Sequence, residues 1–221
     1  MPTGPMPPTK RTTGAPERRL LAQGCERLKL RLSEGQLDAL WLHAQHLSRW
    51  GRRINLTSVL DPEQMIVRHV LDSLSVSPYL RGARLLDIGS GGGFPGLPLA
   101  IAHPDMQTVL LDSRRKKAEF LGHVAARIDL PNVAVARERI EKYRPDRKFD
   151  THVARAVGPV QRLVEQTAPL CSAGSRLLIM KGRSPEAEVD ALRHDGIRNA
   201  TVVELRVPFL DAERNLVVIE F

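Results

Sequence analysis

From Ser33 onward apolar side chains return at helical spacing. Leu37, Leu40, Trp41, Ala44 and Leu47 fall on one face and predict an amphipathic helix running to about Trp50. A second helix is predicted from Asp61-Pro62-Glu63-Gln64, where Asp61 is a good N-cap, Pro62 suits the first helical position and Gln64 can complete a capping box. Met65, Ile66 and Val70 carry it towards Ser77. Past Pro78 the pattern shortens. Apolar runs at Arg84–Ile88, Gln107–Asp112, Val133–Ala136, Phe149–Arg155 and Ser175–Lys181 read as buried strands. Helical stretches at Leu97–Ala102, Lys116–Ile128, Pro159–Leu170 and Pro185–Arg193 lie between and after them. This alternation predicts a parallel sheet covered on both faces, with its ligand at the carboxyl ends of the strands. The last two runs, Thr201–Val207 and Asn215–Phe221, are separated by seven residues, too few for a crossover helix, and are expected to pair as an antiparallel hairpin.

An α/β chain of this order, with a central, mostly parallel seven-stranded sheet, a C-terminal antiparallel hairpin and preceding N-terminal helices, resembles the Rossmann-like class I methyltransferase fold. Three regions are expected: a basic, Pro-rich mobile tail and lead-in over residues 1–32, a helical layer over 33–78, and the main domain over 79–221. Composition agrees with a folded body. Hydrophobic residues make up 42% of the 221, enough for a core, while aromatics at 4% leave that core to Leu, Val, Ile and Ala. Residues 1–16, with five prolines, two glycines and four threonines, cannot bury a core of their own.

Charge is unevenly placed. Residues 1–32 hold seven Lys and Arg against two acids, whereas the rest holds 26 against 23. A basic segment on a nearly balanced body suits a polyanionic partner, because neutralised phosphates release counterions. A solubilising tail explains the same charge, and charge alone does not choose. No apolar run approaches the roughly 20 residues that span a bilayer, so no membrane association is expected. Cys25 and Cys171 lie far apart without metal-ligand spacing, and read as ordinary thiols of a reducing compartment with no metal. The Arg18-Arg19-Leu20-Leu21-Ala22-Gln23-Gly24-Cys25 stretch has an apolar run of three, too short for an export signal, and a cytoplasmic location is expected.

The strongest local signal is Leu85-Leu86-Asp87-Ile88-Gly89-Ser90-Gly91-Gly92-Gly93-Phe94-Pro95-Gly96. A buried strand leads into alternating glycines that allow positive φ and close approach of a ligand, and the start of the next helix offers free N–H groups to an anion. Gly91, Gly93 and Gly96 satisfy the dinucleotide fingerprint G-x-G-x-x-G. Against that ligand stands Asp87, whose carboxylate would repel a pyrophosphate but can bind the ammonium of a methionine moiety, directly or through water. Gly96 also falls after Pro95, where a helix is expected to have begun already. Asp112, at the end of the next strand, can accept from both ribose hydroxyls of a nucleoside, which fits S-adenosylmethionine and NAD alike; it can equally serve as a helix N-cap before Arg114. The D-x-G-x-G-x-G pattern resembles the first motif of class I methyltransferases.

Further words extend the likeness: Trp50-Gly51-Arg52-Arg53-Ile54-Asn55-Leu56-Thr57, Val67-Arg68-His69-Val70-Leu71-Asp72-Ser73, Phe94-Pro95-Gly96, Ala154-Arg155-Ala156, Met180-Lys181-Gly182 and Arg214-Asn215-Leu216-Val217-Val218-Ile219. With these, the chain from about Leu37 to Phe221 resembles the RsmG (GidB) family of bacterial small-subunit ribosomal RNA guanine-N7 methyltransferases. Gly51, where a larger polar residue is expected, and the Pro-rich start depart from it. The resemblance implies methyl transfer from S-adenosyl-L-methionine to N7 of a guanosine in 16S ribosomal RNA, on naked RNA or the small ribosomal subunit; the sequence does not fix the oligomeric state, and a monomer is favoured. It places Gly89, Phe94, Ile140, Glu141 and Arg155 at cofactor-contacting positions, beside Asp87, Gly91, Gly93 and Asp112 of the turn and strand end. Arg155, Lys181 and Arg214 are candidates at the transfer site or on RNA, although each is also explained as an ion pair or a solvated charge. Asn55, Arg68 and His69 are placed at the substrate entrance; His69 alone would also suit a hydrogen-bonded core position. The Arg114–Lys117 run opens a helix, where cations oppose the dipole, and hints at binding. A class I methyltransferase acting on a small molecule or protein, and a non-enzymatic nucleotide-sensing RNA-binding module, stay open beside this reading.

Overall fold

Strands β1 (Arg84–Ile88), β2 (Gln107–Leu111), β3 (Val133–Ala136), β4 (Thr151–Arg155), β5 (Arg176–Lys181), β6 (Asn199–Glu204) and β7 (Asn215–Glu220) form one sheet in the order β3-β2-β1-β4-β5-β7-β6. The structure is a computed structural model and describes residues 16–54, 56–59, 61–155, 158–182 and 185–221, without the side chains of 52–54. The first five strands are parallel, and β7 inserts antiparallel between β5 and β6. Strand order reverses between β1 and β4, so their carboxyl ends diverge and open a crevice there. The alternating pattern predicts this frame closely. The exception is the first strand of the hairpin, which starts and ends earlier than expected, at 199–204 instead of 201–207.

Helices α5 (Gly96–Ala102) and α6 (Arg115–Ile128) cover one face of the sheet. Helix α7 (Val160–Thr167) and a 3-10 turn over Ala168–Leu170 cover the other, where Val160, Leu163, Val164 and Leu170 pack on Leu86, Leu177 and Val217. Helix α8 (Glu186–Asp190) is shorter than its predicted span of 185–193.

The helical layer differs more from expectation. No element is predicted before Ser33, yet α1 occupies Pro16–Arg27. The remainder of the expected mobile tail, residues 1–15, lies outside the described residues. Leu21 and Cys25 of α1 are buried against α2 (Glu34–Ile54), and the buried Arg18 guanidinium donates to Asp38 at 2.7 Å and to Glu34. Part of the amino-terminal positive charge is therefore spent inside the protein. Burial pushes both cysteine thiols up to about 12, which keeps them protonated and unreactive.

The second predicted helix begins as α3 (Pro62–Met65), with Asp61 capping Gln64 N–H at 2.8 Å as expected. It then widens into a π-turn over Ile66–Leu71 and returns to α-helix as α4 (Asp72–Leu74). The apolar spacing of Met65, Ile66 and Val70 is compatible with either winding, so the pattern does not disclose the π-turn. Such turns recur at functional sites. This one carries Arg68 and His69 and hands on to Asp72.

Candidate active site

The β1 end enters a turn in which Gly89, Gly91 and Gly93 all have positive φ, at 70°, 58° and 92°. At Gly91 a side chain would be strained by the backbone and would point towards Lys117 Nζ, 3.7 Å from the position of a Cβ. Gly96 has a different reason. A Cβ there would run into the Leu110 and Asp87 side chains, so this glycine serves close packing within the protein. Helix α5 starts at Gly96 itself and not before it, because Gly91 to Pro95 are consumed in turns.

Two expectations about donors and acceptors change accordingly. The start of α5 is not offered to an anion: it is buried, and its Gly96 N–H is taken at 3.0 Å by Asp87 Oδ2. Asp87 lies beneath the turn and does not line the cavity, and its Oδ1 has no partner among the described groups. Burial raises its carboxyl to about 7, against the opposing hydrogen bonds of Ser90 and Gly96. Asp112 follows β2 directly. Its Oδ2 accepts from Gly91 N–H at 3.0 Å and its Oδ1 from Arg114 N–H at 2.9 Å, so it ties the glycine turn to the head of α6. The N-cap of α6 is Arg114, and Asp112 is not.

Above the turn lies a cavity of about 540 Å³, in the range of small-molecule sites. It is walled by the carboxyl ends of four strands. Gly89 and Gly91 come from β1, Asp112 from β2, Ile140 and Glu141 follow β3, and Arg155 closes β4. Phe94 also lines it; Gly93 and Asp87 sit behind. Glu141 accepts from Gln166 Nε2 of α7 at 2.7 Å, and both face the cavity. Lys117, Glu138 and Arg162 line it too. Lys117 is foreshadowed by the basic run that opens α6, while nothing in the spacing singles out Arg162.

The helical layer forms the back of this site. His43 of α2 donates from Nε2 to the Gly92 carbonyl at 2.8 Å and stacks on Phe94 with ring centroids 4.6 Å apart. Burial lowers His43 to about 4, so it stays neutral. His69 lies against the same Phe94 ring, centroids 5.0 Å apart, and the Arg155 guanidinium stands 5.3 Å from that ring centre.

His69 is neither a plain core histidine nor a free base. Arg155 Nη2 lies 3.0 Å from its Nδ1 and Thr57 Oγ1 lies 2.7 Å from its Nε2. The Arg68 carbonyl also lies 3.0 Å from Nδ1, so that nitrogen faces a donor and an acceptor, and Thr57 Oγ1, which accepts from Val59 N–H at 3.0 Å, can exchange either role with Nε2. Burial and the Arg155 charge lower His69 to about 3, so the ring stays neutral.

Arg155 also donates to the Asp72 carboxylate at 3.1 Å, and Arg214 donates to the other oxygen of Asp72 at 2.9 Å. Asp72 is nearly sealed, with a side-chain exposure of 4%. Beyond this cluster opens a second cavity of about 360 Å³, lined by Val59, Arg68, His69, Asp72, Arg155, Met180, Lys181, Gly182 and Arg214. His69 and Arg155 are common to both cavities. Lys181 is held by Glu188 at 2.8 Å and by the Gly158 carbonyl at 3.1 Å. Asn55, expected at the entrance, lies outside the described residues. The sequence gives Asp72 no separate signal, since only its neighbours in space reveal its two partners.

The strand order, the inserted antiparallel β7 and a cavity between a glycine turn and the β2 acid define a class I methyltransferase. The family model described as rRNA small subunit methyltransferase G matches residues 36–217. The chain is 45% identical over 196 residues to the Ribosomal RNA small subunit methyltransferase G of Alkalilimnicola ehrlichii, covering 89% of each chain. It is 42% identical over 198 residues to the protein of that name from Nitrosococcus oceani, covering 90% of this chain and 92% of that one. The chain therefore belongs to the rRNA small subunit methyltransferase G family, and its cofactor is S-adenosyl-L-methionine. Among solved structures, the tRNA (m1A58) methyltransferase TrmI of Aquifex aeolicus shares the fold at 14% identity, with a TM-score of 0.56 over 68% of each chain. No helix among the described residues is long and apolar enough to cross a membrane, and no group of three or more His, Cys, Asp or Glu among them is placed to hold a metal.

Proposed function

We propose that the chain transfers the methyl group of S-adenosylmethionine to N7 of a guanosine in 16S ribosomal RNA, on the naked RNA or the small subunit. The observation that carries this reading is the pair of cavities with a shared wall. One is bounded by a glycine turn and strand-end acids, the other by Arg68, Lys181 and Arg214, and Arg155 and His69 stand in both. Cofactor and nucleotide can thus meet across a single side-chain layer.

The residues present fit the cofactor. The Asp112 carboxylate keeps acceptor capacity for ribose hydroxyls beyond its two backbone donors. Ile140 offers apolar surface to an adenine, with Glu141 beside it. The unpartnered Asp87 Oδ1 supplies negative charge beneath the turn, where a methionine ammonium can be met through water. When bound, S-adenosylmethionine supplies an electrophilic methyl on a positively charged sulfur.

The chain has little further chemistry to perform. N7 of guanine carries an in-plane lone pair, so no general base is required, and alignment with exclusion of water suffices. Accordingly His69, the titratable group on the shared wall best placed to be a base, is kept neutral, with its Nδ1 held between the Arg155 guanidinium and the Arg68 carbonyl. The basic second cavity suits an RNA phosphate beside the target base. We read the chain as a monomer acting in the cytoplasm, where a ribosomal substrate is found. Incubation with methyl-labelled cofactor and either 16S RNA or small subunits is expected to place label in guanine as 7-methylguanosine. Label in another nucleoside, or none, would rule the reading out.

A further inference from the structure

We propose that Asp72 is a positioning residue for methyl transfer: it clamps Arg155 and Arg214 on either side of its carboxylate and offsets one of their two charges beside the second cavity. The inference rests on the reading of the second cavity as the place of the target guanosine.

The geometry gives each carboxylate oxygen its own guanidinium. Oδ2 accepts from Arg155 at 3.1 Å and Oδ1 from Arg214 at 2.9 Å. The three side chains come from distant parts of the chain: the start of α4, the end of β4, and the residue before β7. The side chains of Arg155 and Arg214 are about one-fifth exposed, and that of Asp72 4%. Arg155 belongs to both cavities, and Asp72 and Arg214 only to the second. The π-turn sets this arrangement, because it ends at Leu71 and delivers Asp72 inward while His69 reaches Arg155.

The direction of charge movement gives the clamp its chemical consequence. The transferred methyl leaves a positive sulfur in the first cavity, and the positive charge reappears on the purine ring in the second. Charge therefore moves towards Arg155 and Arg214. With Asp72 ionised the three groups sum to +1; without it they sum to +2, around a carboxylate that is itself sealed from water. Of the other cations that line the cavity, Lys181 is matched by Glu188, and Arg68 donates to Gln64 Oε1 at 2.6 Å. Asp72 thus lowers the electrostatic cost of forming a cationic guanine, and it does so without touching a reacting atom.

A clamp of this kind separates binding from turnover in an unusual way. Freed from Asp72, the two arginines are better phosphate ligands, so Asp72→Asn should bind a 16S RNA fragment as tightly as wild type or up to about tenfold more tightly. In the same variant kcat should fall about 30-fold, and the S-adenosylmethionine Kd should stay within threefold. Arg214→Gln keeps a balanced Asp72–Arg155 pair and should show the opposite pattern, with weaker RNA binding and a kcat loss smaller than that of Asp72→Asn. RNA Kd is read by fluorescence anisotropy without cofactor, cofactor Kd by calorimetry, and kcat at saturation of both. Weakened RNA and cofactor binding in parallel, with kcat retained, would show that Asp72 acts only as a scaffold. Should Asp72→Asn not fold, an Arg214→Gln variant that loses as much kcat as RNA affinity overturns the proposal equally. Wild-type protein assayed on the same RNA separates the two ideas: absence of any methylation there removes the substrate reading, while the RNA-binding arm still tests the clamp.

Discussion

The two cavities are built by different means. The cofactor cavity is organised by backbone: a glycine turn and four strand ends, tied together by Asp112, whose oxygens bind Gly91 and Arg114 N–H. The second cavity is made of side chains from a π-turn, β4, β5 and the hairpin, held by ion pairs that radiate from Asp72 and Glu188. A backbone site depends on which residues can adopt the turn, so it leaves a mark in the sequence. A site of long charged side chains depends on where distant segments meet, and leaves almost none.

That contrast can be broken by substitutions that should damage one cavity and spare the other. The largest effect is expected at Gly91→Arg, which forces a side chain onto a residue at φ 58° and fills the cavity. Cofactor affinity by calorimetry should fall more than about 100-fold, a loss of at least about 2.8 kcal/mol, because the side chain occupies the space of the ligand. RNA affinity and the far-ultraviolet spectrum should be retained. Undiminished cofactor affinity would show that the turn is not the cofactor site.

A smaller effect concerns stability. Burial raises Asp87 in the fold to about 7, above its unfolded value of 3.8. A carboxyl raised on folding stabilises the protein only while protonated: that contribution is full below about pH 4 and is lost as pH rises through about 7. Asp87→Asn removes the loss. Without cofactor the variant should match wild type near pH 4 and exceed it at pH 8 by roughly 3 kcal/mol in urea unfolding, while binding cofactor more weakly. The buried histidines His43, His46 and His152, lowered to about 4, run the other way. Their contribution is full above about 6.5 and fades towards pH 4, equally in both proteins, so the difference isolates Asp87. Equal stability at pH 8 would mean that the Asp87 carboxylate is compensated in the free enzyme.

The smallest effect is expected at Lys181→Ala, on the rim of the second cavity. RNA affinity should weaken about three- to fivefold, with a salt dependence shallower by roughly 0.7–0.9 in log–log slope, the signature of one lost phosphate contact. Cofactor affinity should not move. If the slope is unchanged, Lys181 serves only to hold Glu188, which also receives the Val160 N–H at 2.8 Å.

The same contrast explains what could be read from the chain alone. The parallel strands, the terminal hairpin and the glycine turn are legible because short continuous apolar runs, short connections and positive-φ glycines are local properties. The roles within the turn are less so. Asp87 faces Gly96 and not the cavity, and the α5 N-terminus is closed, because both depend on how Leu110 and Gly96 pack. Helix α1 is hidden by its basic composition. Arg18 reads as a tail charge until Glu34 and Asp38 of α2 are brought beside it. The π-turn is hidden for a related reason, since Met65, Ile66 and Val70 satisfy an α-helical period as well as the wider winding. Lys181 and Arg214 read as solvated cations or RNA contacts, and only the fold shows that each already has a carboxylate.

The central claim is that the two cavities together methylate guanine in small-subunit ribosomal RNA. Mass spectrometry of 16S RNA from cells with and without the protein tests it most directly. One 7-methylguanosine should disappear with the protein and return on complementation with wild type but not with Gly91→Arg. An unchanged 7-methylguanosine content in 16S RNA from cells lacking the protein would contradict it.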